Sequence, residues 1–114
     1  MKFEYCGKYL CRIHDKAGRV VIPAKLRKKL TGWVIITPSP DGCLTVYPGD
    51  EKNGIPINRQ GIVLIPQPLK EHANLQKEIV VVGCIKYIEI WNRERWQEEE
   101  KESPEIQRKF FLKS

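Results

Sequence analysis

Seven cations crowd one short stretch of the chain. Arg12, Lys16, Arg19, Lys25, Arg27, Lys28 and Lys29 lie between positions 12 and 29, with Asp15 the single anion among them. Seven less one leaves +6, which equals the formal net charge of the whole 114-residue protein, so the remainder balances to neutral. The chemistry that such a block can do is to bind anions, and double-stranded DNA is the commonest large polyanion. Arg19 follows Gly18 on what reads as a tight loop, and its guanidinium fork can engage guanine O6 and N7 together, which a lysine cannot imitate. Asp15, four residues earlier, is expected to orient that arginine or to tie down the loop amides, because a carboxylate beside phosphates is repelled. Lys16, Lys25, Arg27 and Lys28 are expected on phosphates, where they supply affinity and register without sequence information. Arg12 and His14 flank the loop and can join them. Two plainer readings stand beside this one: a solvated helix face with loop lysines, and an Asp15–Arg19 pair that only stabilises its loop.

The other reactive side chains form weaker patterns. Cys6, Cys11 and His14 have a spacing that could hold zinc, but no fourth ligand follows nearby, and Cys43 and Cys84 lie beside apolar strands. Cysteines as small buried hydrophobes are the better reading, so no metal is expected. His72 reads as a surface residue and Glu98 to Glu100 as a solvated helix face. Nothing pairs these with a nucleophile or a second carboxylate, and no glycine loop cradles a phosphate. An enzyme is therefore not expected, nor a cofactor or small-molecule substrate. Trp33, Trp91 and Trp96 read as core or subunit-interface anchors, and Tyr47 and Tyr87 as strand packing.

The elements that must position the basic block come as an internal repeat. Residues 15–27, DKAGRVVIPAKLR, lie over residues 58–70, NRQGIVLIPQPLK, at an offset of 43. Gly18 meets Gly61, Val20 meets Val63, Ile22 meets Ile65, Pro23 meets Pro66 and Leu26 meets Leu69. With a small drift, residues 33–37 then match 78–82, and residues 43–47 match 87–91. Arg59 stands opposite Lys16 and Lys70 opposite Arg27, but Asn58 and Ile62 replace Asp15 and Arg19. The second loop is therefore expected to hold backbone weakly or to serve the fold alone. Each copy reads as loop, strand, short helix, strand, turn, strand, with the first helix closing at Thr31-Gly32. Strands 44–47 and 88–91 alternate as half-buried strands do.

The division expected is a first copy over residues 1–48, a polar connector over 49–56, a second copy over 57–91 and a helical segment over 92–114. Asn92 is a plausible N-cap for a helix to about Lys101, and Ser103-Pro104 a second start leading to Phe110, Phe111 and Leu112. One copy has too few strands to bury a core alone. Two interleaved copies closing one pseudo-twofold small barrel, mostly β with short helices, solve that and remove free sheet edges. Apolar residues at 41% and charged residues at 30% suit a globular domain. No apolar run approaches the roughly 20 residues of a membrane span, and no secretory leader is seen, so a cytoplasmic protein is expected.

These residues resemble a known family. Residues 15–27 are similar to the AbrB/SpoVT class of DNA-binding swapped-hairpin barrels. The two-copy layout, with 41–48, DGCLTVYP, and 81–96, VVGCIKYIEIWNRERW, resembles MraZ in particular. The resemblance implies a bacterial transcriptional regulator acting upstream of division and cell-wall genes. It also implies a ring-shaped homo-oligomer that lays basic loops on repeated DNA boxes. The family's Asp-x-x-x-Arg element maps onto Asp15 and Arg19. Members usually insert a helical hairpin between the copies, where this chain has only its short connector. Two other functions compete: an AbrB-type antitoxin that binds a toxin and autoregulates its operon, and a scaffold that assembles without DNA.

Overall fold

An Ile-Pro step after each three-residue strand, and a positive-φ glycine before it, punctuate the chain twice in the same way. The structure is a computed structural model that describes residues 7–13, 17–28, 30, 32–84 and 86–102. Its first copy runs β1 (Gly7–Arg12), β2 (Arg19–Val21), a single 3₁₀ turn (Ala24–Leu26), β3 (Trp33–Pro38) and β4 (Leu44–Pro48). The second runs β5 (Ile55–Pro56), β6 (Ile62–Leu64), α1 (Gln67–His72), β7 (Glu78–Gly83) and β8 (Ile88–Asn92), followed by α2 (Arg93–Glu102).

Pairing is antiparallel throughout and mostly between copies. One sheet has the order β1-β7-β8-β4-β3-β5, and β2 and β6 form a two-stranded ribbon. Single bridges, Ile13 to Val20 and Ile57 to Val63, join the ribbon to the two edges of the sheet. The circuit is thereby closed into a small barrel. A pseudo-twofold axis relates the copies, since β1 on β7 corresponds to β5 on β3, while β2–β6 and β4–β8 each pair across it. The backbone repeats this to the hydrogen bond: Ile22 N–H donates to Gly61 O at 2.9 Å, and Ile65 N–H to Gly18 O at 3.1 Å.

The interior is apolar, as the repeat requires. Val20, Ile22, Leu26, Val34, Leu44 and Val46 of the first copy meet Val63, Ile65, Ile79, Val81, Ile88 and Ile90 of the second. Burial of this kind, at about 25 cal/mol per Å², is the main stabilising force of so small a domain. A second cluster forms on the outer face of the sheet, where Trp96 of α2 covers Trp91, Val80, Val82, Cys43 and Cys84.

Three expectations change. β8 is buried along its whole length, not half-buried, because α2 folds back over the face that Glu89 and Trp91 present. The first helix is one 3₁₀ turn that ends at Leu26, not a helix reaching Thr31-Gly32. Ten residues separate Pro23 from Trp33, against twelve from Pro66 to Glu78, and the two extra residues are what let α1 complete an α-turn. Lastly, Ile55–Pro56, read as connector, is a strand on the free edge of β3.

Candidate nucleic-acid interface

The ribbon carries the site. Arg19 opens β2, its side chain exposed, directly opposite Leu64 of β6, while Val20 and Val63 between them point into the core. Strand alternation therefore puts Arg19, Val21, Ile62 and Leu64 on one outward face. Gly18 at φ +94° and Gly61 at φ +84° turn the chain into the two strands at opposite ends of this ribbon. Four residues of strand separate those ends, about 13 Å at roughly 3.3 Å per residue.

Each end receives a cation from the other copy. Lys70 of α1 lies along Gly18, so close that a Cβ there would stand 2.8 Å from its Cδ and 3.0 Å from its Nζ. Arg27 lies against Gly61 in the same manner, and a Cβ there would collide with its guanidinium. Arg27 is half-buried and also shares a pocket of about 270 Å³ with Asn58 and Arg59. The sequence groups Arg27 with Lys25 and Lys28; the fold sends it across the pseudo-twofold to the second loop and leaves those two lysines exposed. At the first end, Arg12, Lys70 and Lys77 line an open groove of about 930 Å³ with Glu71 and Glu78. Glu78 is engaged by Arg93 at 2.7 Å.

The second loop shows how its backbone is held. Asn58 Oδ1 accepts from Gln60 N at 3.0 Å and Ile62 N at 2.9 Å, and Gly61 N–H donates to Asn58 O at 2.9 Å. An Asx side chain thus replaces water for two loop amides. His14, Asp15 and Lys16, expected at the first loop, lie outside the described residues, as do Cys6 and the segment with Phe110, Phe111 and Leu112.

Of the expected site residues, Arg12 and Arg19 therefore stand at one end of the ribbon, Arg27 and Arg59 at the other, with Lys25 exposed on the 3₁₀ turn and Lys28 exposed just after it. Lys77 escaped sequence reasoning, because nothing local marks it. It is delivered by a backbone bond from Ile13 N to Lys77 O, 2.9 Å. The remaining reactive groups are occupied structurally. Burial and the neighbouring Glu89 charge push the Cys43 thiol up to about 12, and burial also raises Cys11. His72 Nε2 sits 2.7 Å from Ser39 O, tying α1 to the β3–β4 turn. Among the described residues, no group of three or more His, Cys, Asp or Glu side chains could hold a metal.

A closed eight-strand circuit of two interlaced copies, with glycine-turned basic loops at both ends of a ribbon, defines a double swapped-hairpin barrel. The family model of the MraZ protein, described as antitoxin-like, matches residues 6–53 and again 53–110. The chain belongs to the MraZ family. It is 35% identical to the transcriptional regulator MraZ of Lachnoclostridium phytofermentans, over 82% of this chain and 84% of that protein. It is 34% identical to the regulator of that name in Pediococcus pentosaceus (80% and 83% covered) and 35% to that of Clostridium beijerinckii (82% and 85% covered). A solved structure, the solution structure of PHS018 from Pyrococcus horikoshii, is similar at 23% identity and a TM-score of 0.40 over 79% of this chain and 89% of that one.

Proposed function

We propose that the protein is a sequence-specific DNA-binding transcriptional regulator that seats the β2–β6 ribbon in a major groove. The observation that carries this is Arg19 exposed on a two-stranded ribbon whose ends are both cationic. A major groove about 12 Å wide admits a two-stranded ribbon, and the two cationic ends, about 13 Å apart, match its phosphate walls. Arg19 reads guanine. Arg12 and Lys16, with His14, hold phosphates near the first loop, Arg27 and Arg59 hold them near the second, and Lys25 and Lys28 hold them from the exposed segment after β2. Asp15 orients Arg19 or ties down the amides of the first loop, the latter being what Asn58 does for the second. Several chains act together as a homo-oligomer, in a ring if the connector permits, in the cytoplasm on the nucleoid. The copies are divided at 1–48, 49–56, 57–91 and 92–114, with β5 at the end of the connector and α2 of the last segment packing on the barrel. The antitoxin reading is not favoured, since the relatives matching four-fifths of the chain carry the name of a transcriptional regulator.

Titration of DNA from upstream of the chain's own gene, followed by fluorescence anisotropy at several salt concentrations, tests this. With about four of these groups on phosphate at once in each chain, log affinity falls with a slope of about −3.6 against log salt. Arg19→Ala loses about 1–3 kcal/mol of discrimination at one base pair, while Lys25→Ala weakens all sequences alike and flattens the slope by about 1. Binding by Arg19→Ala equal to wild type on every sequence removes Arg19 from the site.

A further inference from the structure

A solvated face of a two-stranded ribbon is ordinarily polar, since water covers it. The outward face of β2–β6 is not: besides Arg19 it carries Val21, Ile62 and Leu64, and Leu64 is 48% exposed. Single exposed leucines are ordinary, but this one ends a contiguous apolar row and stands directly across from the arginine. Cross-strand partners of this kind have Cβ atoms about 5 Å apart, so the two side chains reach the same small area. The other end of the face pairs Val21 with Ile62, both half-buried, so neither outward side chain there can hydrogen-bond a base, and Arg27 and Arg59 lie beside that end and not on the face. One end of an otherwise pseudo-symmetric ribbon therefore combines a hydrogen-bonding fork with a large exposed aliphatic group.

The geometry points to Leu64 as a second base-reading residue, one that packs on the C5-methyl of a thymine beside the guanine engaged by Arg19. Thymine's methyl is the only apolar group that any base presents in the major groove, and an aliphatic side chain recognises it by excluding water from it. Successive bases on one strand rise about 3.4 Å, so a residue about 5 Å from Arg19 falls on the next step, not the same one. The chain would then read a two-base element with one end of its ribbon, while the Val21–Ile62 end faces the groove without a polar requirement. This rests on the DNA-binding reading above and adds to it a specificity that Arg19 alone does not provide.

The test removes one methyl group at a time from the DNA. A duplex selected by the full-length protein from a random-sequence pool is resynthesised with each thymine in turn replaced by uracil, which leaves every hydrogen bond intact. Loss of one buried methyl weakens binding roughly fourfold, and this is expected at a thymine adjoining the guanine at which Arg19→Ala loses discrimination. Leu64→Ala should bind thymine and uracil duplexes alike at that step while keeping its preference for the guanine. A selected sequence whose uracil scan is flat, or a thymine effect that persists in Leu64→Ala, overturns the role of Leu64 and leaves Arg19 untouched. Selection of no preferred sequence overturns both readings together. A Leu64→Ala protein with altered native mass and an unchanged thymine effect would assign the residue to contact between copies instead.

Discussion

Gly18 and Gly61 hold the same left-handed backbone, yet they are not equally replaceable. The three atoms nearest a Cβ at Gly18 all belong to the flexible Lys70 side chain, whereas at Gly61 it would also stand 2.7 Å from the carbonyl oxygen of Ile22. Gly18→Ala should therefore cost about 1–2 kcal/mol of backbone strain, and Gly61→Ala clearly more, with lower melting temperatures in that order. Equal melting points would mean that the Ile22 carbonyl is free to move. Cys43 offers a different check. Its thiol ionises near 12 in the fold against an ordinary 9.0. The sign follows from linkage: the contribution is whole below about pH 9 and drains away as pH rises toward 12, because the unfolded thiol ionises first. Urea midpoints of wild type should fall more steeply than those of Cys43→Ala across that window; parallel curves would show the thiol to be solvated. At this scale the sequence was only half legible. The exposed place of Arg19 at the start of β2 could be read from the glycine before it and the strand alternation after it. The destination of Arg27 could not, because it depends on a contact with a residue 34 positions away in the other copy.

Helix α2 shows what an element adds to a barrel that is already closed. Asn92 Oδ1 accepts from Arg95 N at 3.0 Å as an N-cap, while its Nδ2 donates to Asn74 O at 2.7 Å. The same side chain therefore starts the helix and fastens it to the loop after α1. Trp96 then packs edge-on against Trp91, centroids 5.5 Å apart, and Lys8 of β1 pairs with Glu100. Asn92→Ala removes a cap worth about 1 kcal/mol and a bond worth about as much, which by thermal denaturation should lower the midpoint by roughly 8–16 °C. Trp96→Ala uncovers the outer face and should cost about 3–5 kcal/mol, a large share of the stability of a small domain. If Trp96→Ala proves milder than Asn92→Ala, α2 is anchored by its cap and not by its aromatic. The cap and the extent of α2 were readable from Asn92 and the charged run after it. Where the helix would lie was not, since the alternation of β8 looks the same whether its outer face meets water or a tryptophan. A two-residue strand such as β5 has no periodicity at all, and only its edge pairing with β3 reveals it.

At the scale of the molecule, the copies are not two domains but two halves of one circuit. Among the described residues, the strand ladders within a copy are the hairpins β3–β4 and β7–β8, whereas β1–β7, β2–β6, β3–β5 and β4–β8 all cross between copies. The repeat made this interlacing legible, because each unit carries too few strands to bury Val20 and Ile22, or Val63 and Ile65, by itself. The consequence is a topological one. A fragment of residues 1–52 keeps one hairpin and exposes the apolar inner faces of β2, β3 and β4, and residues 53–114 do the same for the second copy. Isolated hairpins are marginal in water, so neither fragment should give a dispersed amide spectrum alone. Mixed, the two should assemble, because each supplies the other's missing strands, although association now costs about 4 kcal/mol or more of lost freedom that the connector had spared the intact chain. Complementation should therefore depend on concentration, with native-like amide shifts returning as the fragments are raised together. DNA binding should recover in the same proportion, since Lys70 reaches Gly18, and Arg27 reaches Gly61, only across the junction of the two copies. A 1–52 fragment that folds and binds DNA alone would show that the cross-copy pairing is dispensable, and with it the account of how the basic loops are held.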